Sequence, residues 1–120
     1  MSTFGIRASI VSERVSWIRE MMACIRKLPI SDIHQFKADP RNPAAAESFL
    51  RRGIEALLDL GRHILSKGYG IAVTEYKDIS FRLVQEGVLD GKQELLFRQI
   101  AGYRNRMMHF YRRITPWNQQ

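Results

Sequence analysis

Between Gly5 and Leu28 the apolar residues Val11, Val15, Ile18, Met22 and Ile25 recur every three or four positions, with Trp17 and Met21 widening the stripe. That spacing predicts an amphipathic helix, and Pro29, which has no amide hydrogen to donate, ends it. Ser31 to Arg41 reads as a polar connection. Asn42-Pro43 then offers a capping side chain followed by proline at the first helical position, which predicts a second, longer helix. Its stripe runs Leu50, Ile54, Leu57, Gly61 and Ile64, flanked by Phe49, Leu58 and Leu65, and Lys67-Gly68 marks the stop. A glycine within the stripe, Gly61, predicts close approach of another helix.

Thr74 is the expected cap of a short third helix reaching about Gln85, with Ile79, Leu83 and Val84 inward and Gly87 closing it. Asp90, with Gln93 three residues later, has the pattern of a capping box and opens a fourth helix. Leu95, Leu96, Ile100, Tyr103 and Met107 are its expected inward face. Four helices with short connections imply an all-α, antiparallel up-and-down bundle, and 120 residues are enough for one domain with one core.

Charge adds a partner class to this picture. Nineteen Lys and Arg against twelve Asp and Glu give a formal net charge of +7, which favours a polyanionic partner: RNA, DNA or an acidic protein. The excess concentrates late in the chain, where Lys92, Arg98, Arg104, Arg106, Arg112 and Arg113 face only Glu94 among acids. A single cysteine, Cys24, excludes an intrachain disulfide and a Cys-based zinc site. The charged residues interrupting the N-terminal apolar stripe exclude a signal peptide or membrane span there, so a cytoplasmic location is expected. His34, His63 and His109 share no metal-ligand spacing, and Gly68-Tyr69-Gly70 lacks the residues of a phosphate-cradling loop, so neither a metal nor a cofactor is expected.

The chemistry-bearing group is Arg104, Asn105, His109 and Tyr111. Cleaving RNA without a metal needs a base to deprotonate the ribose 2'-hydroxyl, an acid to protonate the leaving oxygen and a cation to stabilise the crowded phosphorane. Histidine and arginine are suited to those roles. On an ideal helix, however, five positions turn the chain by roughly 500°, which leaves Arg104 and His109 about 140° apart around the axis. Either the helix bends or ends between them, or the cleft is built from two copies of the motif.

Several runs resemble the HepT family of HEPN-type ribonuclease toxins. They are Asp39-Pro40-Arg41-Asn42, Ala44-Ala45-Ala46-Glu47, Ile54 through Ile64, Tyr76-Lys77-Asp78-Ile79, Glu86-Gly87-Val88-Leu89 and, most distinctively, Ala101-Gly102-Tyr103-Arg104-Asn105-Arg106-Met107-Met108-His109-Phe110-Tyr111. The resemblance implies a homodimeric HEPN-type bundle whose two motifs face a shared cleft. It further implies metal-independent endoribonuclease activity as the toxin of a type VII-like HEPN/MNT toxin-antitoxin pair, silenced when a small MNT-type nucleotidyltransferase attaches AMP to the motif tyrosine. Carried onto this chain, Arg104 holds the scissile phosphate, His109 is the acid or base, Asn105 supports the site and Tyr111 is the AMP acceptor. Arg106, Arg112 and Arg113 are candidate RNA contacts.

The family continues into another helix after the tyrosine, whereas only Arg112 to Gln120 follow Tyr111 here, Pro116 among them. A truncated C-terminal helix and a short irregular tail over 112–120 are therefore expected. The competing reading is a catalytically inactive helical module that binds a nucleotidyltransferase or nucleic acid. Glu47, Glu55 and Asp59 on the second helix are placed either to meet the motif arginine across the bundle or to form a solvated face, and Asp59 and His63 are one turn apart.

Overall fold

The computed structural model describes the backbone of residues 5–114 and the side chains of residues 5–106. It is a helical bundle, with no β-strand among the described residues: α1 (Ala8–Arg26), α2 (Ile33–Ala38), α3 (Arg41–His63), a π-helical turn (Ile64–Gly68) that prolongs α3, α4 (Tyr76–Gln85) and α5 (Gly91–Ile114). No described helix is long and apolar enough to cross a membrane.

α3 is the central element, packed against α1 on one side and α4 and α5 on the other. It runs antiparallel to α1, as Arg7 meets His63 at one end while Met21 lies against Gly53 further along. It is antiparallel to α5 too, since Gly61 faces Phe97 and Glu55 faces Arg104. The core is Ile54, Leu58, Leu65, Ile79, Leu83, Phe97 and Ala101, with Leu58, Leu65, Ile79 and Ala101 fully buried. Each such leucine or isoleucine contributes about 1.5–3 kcal/mol by leaving water.

Gly61 behaves as its position in the stripe predicts. A Cβ there would stand 2.8 Å from Ile79 Cγ2 and 3.2 Å from Phe97 Cζ, so the absence of a side chain is what lets α4 and α5 close onto α3. Gly87 closes α4 in a left-handed conformation (φ 76°), with its amide donating to Val84 O and the Val88 amide to Leu83 O. The capping box at α5 is formed on both sides: the Gln93 amide donates to Asp90 Oδ1 at 2.8 Å, and the Asp90 amide to Gln93 Oε1 at 3.1 Å.

Several expectations are corrected. The connection after Pro29 contains α2, capped by Asp32, whose Oδ1 accepts from the amides of His34 and Gln35. α3 starts at Arg41, and the carboxylate that accepts its first amide is Asp39; Asn42 instead donates to Phe36 O, tying α2 to α3. α4 starts at Tyr76 without a side-chain cap, so Thr74 does not serve as one. In α1, Met21 is buried while Met22 is exposed, and Leu50 of α3 is exposed as well. α5 continues through Ile114, past the point at which an irregular tail was expected to begin; the rest of that tail lies outside the described residues.

The largest correction concerns the orientation of α5. Phe97 and Ala101 are buried, whereas Leu95, Leu96 and Tyr103 are exposed. Leu96, Ile100, Tyr103 and Arg106 form one wall of an open apolar groove of about 540 Å³, whose other walls are α1 (Ile18, Met21, Met22, Ile25) and α3. α5 therefore carries two apolar stripes, Phe97 and Ala101 in the core and Leu96 and Tyr103 along this groove, with Ile100 packed against the core from the groove side. The Met107 side chain, placed on the same stripe, lies outside the described residues.

Candidate active site

Phe97 and Ala101 fix the rotation of α5 about its axis, and one further turn along that buried face comes Arg104. The arginine is thereby directed into the seam between α3 and α4 and away from solvent, its side chain retaining 21% of its exposure. Glu55 of α3 meets it there: Oε1 accepts from Arg104 Nε at 2.8 Å, a charge-assisted hydrogen bond. The guanidinium lies over the ring of Tyr76, the first residue of α4, with Cζ 4.2 Å from the ring centroid. The Tyr76 hydroxyl in turn donates to Glu55 Oε2 at 3.5 Å, closing a three-residue ring of contacts.

Each partner orients the guanidinium in a different way. The carboxylate fixes the Nε edge, the aromatic face fixes the plane, and Arg104 Nη1 donates to Asn105 Oδ1 at 3.3 Å. Nη2 has no hydrogen-bond partner among the described residues. Asn105 also lines an open cleft of about 350 Å³ together with Thr74, Glu75, Tyr76 and Lys77. A cation braced in this way is suited to holding an anionic oxygen without rearranging when charge develops on it.

Of the three acidic residues on α3, Glu55 alone pairs with the motif arginine. Glu47 forms an ion pair with Arg51, and Asp59 is exposed. Asp59 and His63 do not bond; His63 Nε2 accepts from the Arg7 amide at 3.4 Å. Arg106 lies apart from Arg104, at the groove between α1 and α5, with its guanidinium 5.9 Å from the Tyr103 ring centroid. The side chains of His109, Tyr111, Arg112 and Arg113 lie outside the described residues. Their backbone belongs to α5, which is a single helix from Gly91 to Ile114, so the helix does not end between Arg104 and His109.

Sequence reasoning passed over Tyr76 and Arg62, which also stacks on the Tyr76 ring at 4.4 Å. The signal for Tyr76 was present, as it opens one of the runs that resemble HepT proteins, but nothing in the linear sequence pairs residue 76 with residue 104. No cluster of three or more His, Cys, Asp or Glu side chains suited to a metal ion occurs among the described residues.

Comparison with curated proteins and with solved structures gave no match. The family model described as ribonuclease HepT-like matches residues 18–116, a span that takes in α2 through α5 and the whole of the Arg104–Tyr111 motif. By that match the chain belongs to the ribonuclease HepT-like family.

Proposed function

We propose that this chain is a metal-independent endoribonuclease, the toxin of a type VII-like HEPN/MNT toxin-antitoxin pair, in which Arg104 and His109 carry the chemistry. The observation that supports this most is the bracing of Arg104 by Glu55 and Tyr76, which holds one edge of a motif cation ready for a phosphate. In the reaction, a base takes the proton of the ribose 2'-hydroxyl and the 2'-oxygen attacks phosphorus. The arginine stabilises the negative charge on the phosphorane oxygens, the P–O5' bond breaks, and an acid protonates the departing 5'-oxygen, leaving a 2',3'-cyclic phosphate and a 5'-hydroxyl.

That sequence of steps needs two proton-transferring groups, and the motif of one chain supplies one histidine. Two copies supply two. An unbroken α5 with Arg104 and His109 about 140° apart likewise favours a cleft completed by a second chain. We therefore place the active form as a homodimer, with the apolar groove between α1 and α5 covered by the partner. AMP on Tyr111, added by an MNT-type nucleotidyltransferase, would place a bulky anion among the motif cations and exclude RNA by both volume and charge. Asn105 supports Arg104, and Arg106, Arg112 and Arg113 extend the RNA path beyond the scissile bond.

Expression in bacteria tests this reading. Native protein is expected to arrest growth, Arg104→Ala and His109→Ala to relieve the arrest at equal protein levels, and co-expression of the cognate nucleotidyltransferase to relieve it with a mass gain of AMP on Tyr111. Arrest that persists in both variants contradicts the assignment.

A further inference from the structure

We infer that Arg62 is a second phosphate-binding residue of this site, receiving the RNA phosphate next to the one held by Arg104. The inference rests on the ribonuclease reading of Arg104. Arg62, near the end of α3, and Arg104, on α5, place their guanidinium carbons 4.4 Å and 4.2 Å from the centroid of the same ring, that of Tyr76. The two charges are therefore no further apart than those two distances combined, which is within reach of adjoining phosphates on one strand.

The charge balance favours an anion at this place. The carboxylate that bonds within this group, Glu55, is committed to Arg104 Nε and the Tyr76 hydroxyl. The nearby Lys77 is matched by Glu75 at 3.4 Å. Among the described residues Arg62 has no acidic partner: Nη2 donates to the Thr74 carbonyl at 3.4 Å, and Nε, shielded from solvent, has no hydrogen-bond partner there. Two guanidinium groups on one ring with one carboxylate bonded to them among the described residues leave a positive excess in a partly desolvated seam, where repulsion is poorly screened. A phosphate relieves it. The open cleft lined by Thr74–Lys77 and Asn105 is bordered by a hydrogen-bond partner of each cation, Thr74 for Arg62 and Asn105 for Arg104, and by the Tyr76 ring on which both stack.

A merely structural Arg62 would brace α3 against the chain entering α4, and the test separates the two roles. A single-stranded RNA oligonucleotide carrying 2'-O-methyl groups throughout, which cannot be cleaved, is titrated against the full chain over a range of salt concentrations. Arg62→Gln is expected to weaken binding roughly 3–10-fold and to reduce the salt slope by about 0.7–1, the loss of one phosphate contact. Arg62→Lys is expected to recover most of the affinity, and Lys37→Gln on α2 to match native protein. Should Arg62→Gln fail to fold, Thr74→Glu, at an exposed position in the cleft, is expected to weaken binding in the same salt-dependent way.

Affinity and salt slope unchanged in Arg62→Gln, or in Thr74→Glu where that variant is used, overturn the inference. If native protein then still cleaves unmodified RNA, the ribonuclease reading stands without it. Binding that depends on Arg62 with no cleavage by native protein keeps the phosphate site and removes the ribonuclease reading, and absence of binding by native protein overturns both.

Discussion

Glu55 and Arg104 are separated by forty-nine positions in the chain and meet at 2.8 Å, with Tyr76 closing the contact from a third helix. Neither charge is fully exposed, so the pair is worth more than a surface ion pair but is not a deeply buried one. Its main consequence is orientation. Glu55→Gln keeps the shape of the side chain but replaces a carboxylate by an amide, which loosens Arg104. RNA cleavage is expected to fall ~10–100-fold at saturating substrate, since small displacements of a positioning group have effects of that size. Rates measured alongside Glu47→Gln, whose carboxylate pairs with Arg51, check that the loss belongs to Glu55.

Gly61 separates propensity from packing. Alanine in a helix interior gains about 1 kcal/mol of intrinsic preference over glycine. Here its Cβ would press against the stiff Cγ2 of the buried Ile79 and the ring edge of Phe97. Overpacking of that kind costs about 1–3 kcal/mol, so Gly61→Ala is expected to be net destabilising, by up to ~2 kcal/mol, in denaturant unfolding. A stabilised variant would show that α4 and α5 can retreat from α3.

The groove between α1 and α5 presents Met22, Leu96 and Tyr103 to solvent in the single chain. Leu96→Asp removes none of the core residues, yet it places a charge in the surface assigned to the partner chain. It is expected to convert the proposed dimer to monomer in sedimentation and to abolish RNA cleavage while leaving the helical content intact. A monomeric variant that cleaves normally would remove the second copy from the account.

Asp39 links stability to pH. Hydrogen bonds from the Arg41 side chain, then from its backbone amide, hold the Asp39 carboxyl below the usual carboxylate range. A folded-state pKa below the unfolded value contributes stability that is present above the unfolded value, about 3.9, and is lost as pH falls through the folded one. Thermal unfolding followed downward from pH 5 should therefore show a shallower acid loss in Asp39→Asn than in native protein. Parallel curves would mean that the contact does not survive in solution.

The bundle was legible in the sequence because helical spacing, Gly87 and the Asp90–Gln93 box are local signals, each contained within a few turns. Local signals also explain the errors. Leu96 and Tyr103 outweigh Ala101 in any reading of apolar bulk, and only the close approach permitted by Gly61 reveals that the face with Phe97 and Ala101 is the buried one. α2 was missed because its six residues are mostly exposed and carry no stripe. At the site, Arg104 and Asn105 were visible as a motif. Glu55 was visible only as one of three acidic residues, and Tyr76 and Arg62 only as members of the resembling runs, because their roles arise where three helices converge.

Cleavage of a defined single-stranded RNA by the purified full chain, in the presence of a metal chelator, tests the central claim most directly. The account predicts cleavage by native protein that leaves 2',3'-cyclic phosphate ends, and its loss by at least ~100-fold in both Arg104→Ala and His109→Ala with folding intact. Native protein that leaves the RNA whole, or variants that cut it as fast as native protein, would contradict the assignment of Arg104 and His109 as the groups that carry the reaction.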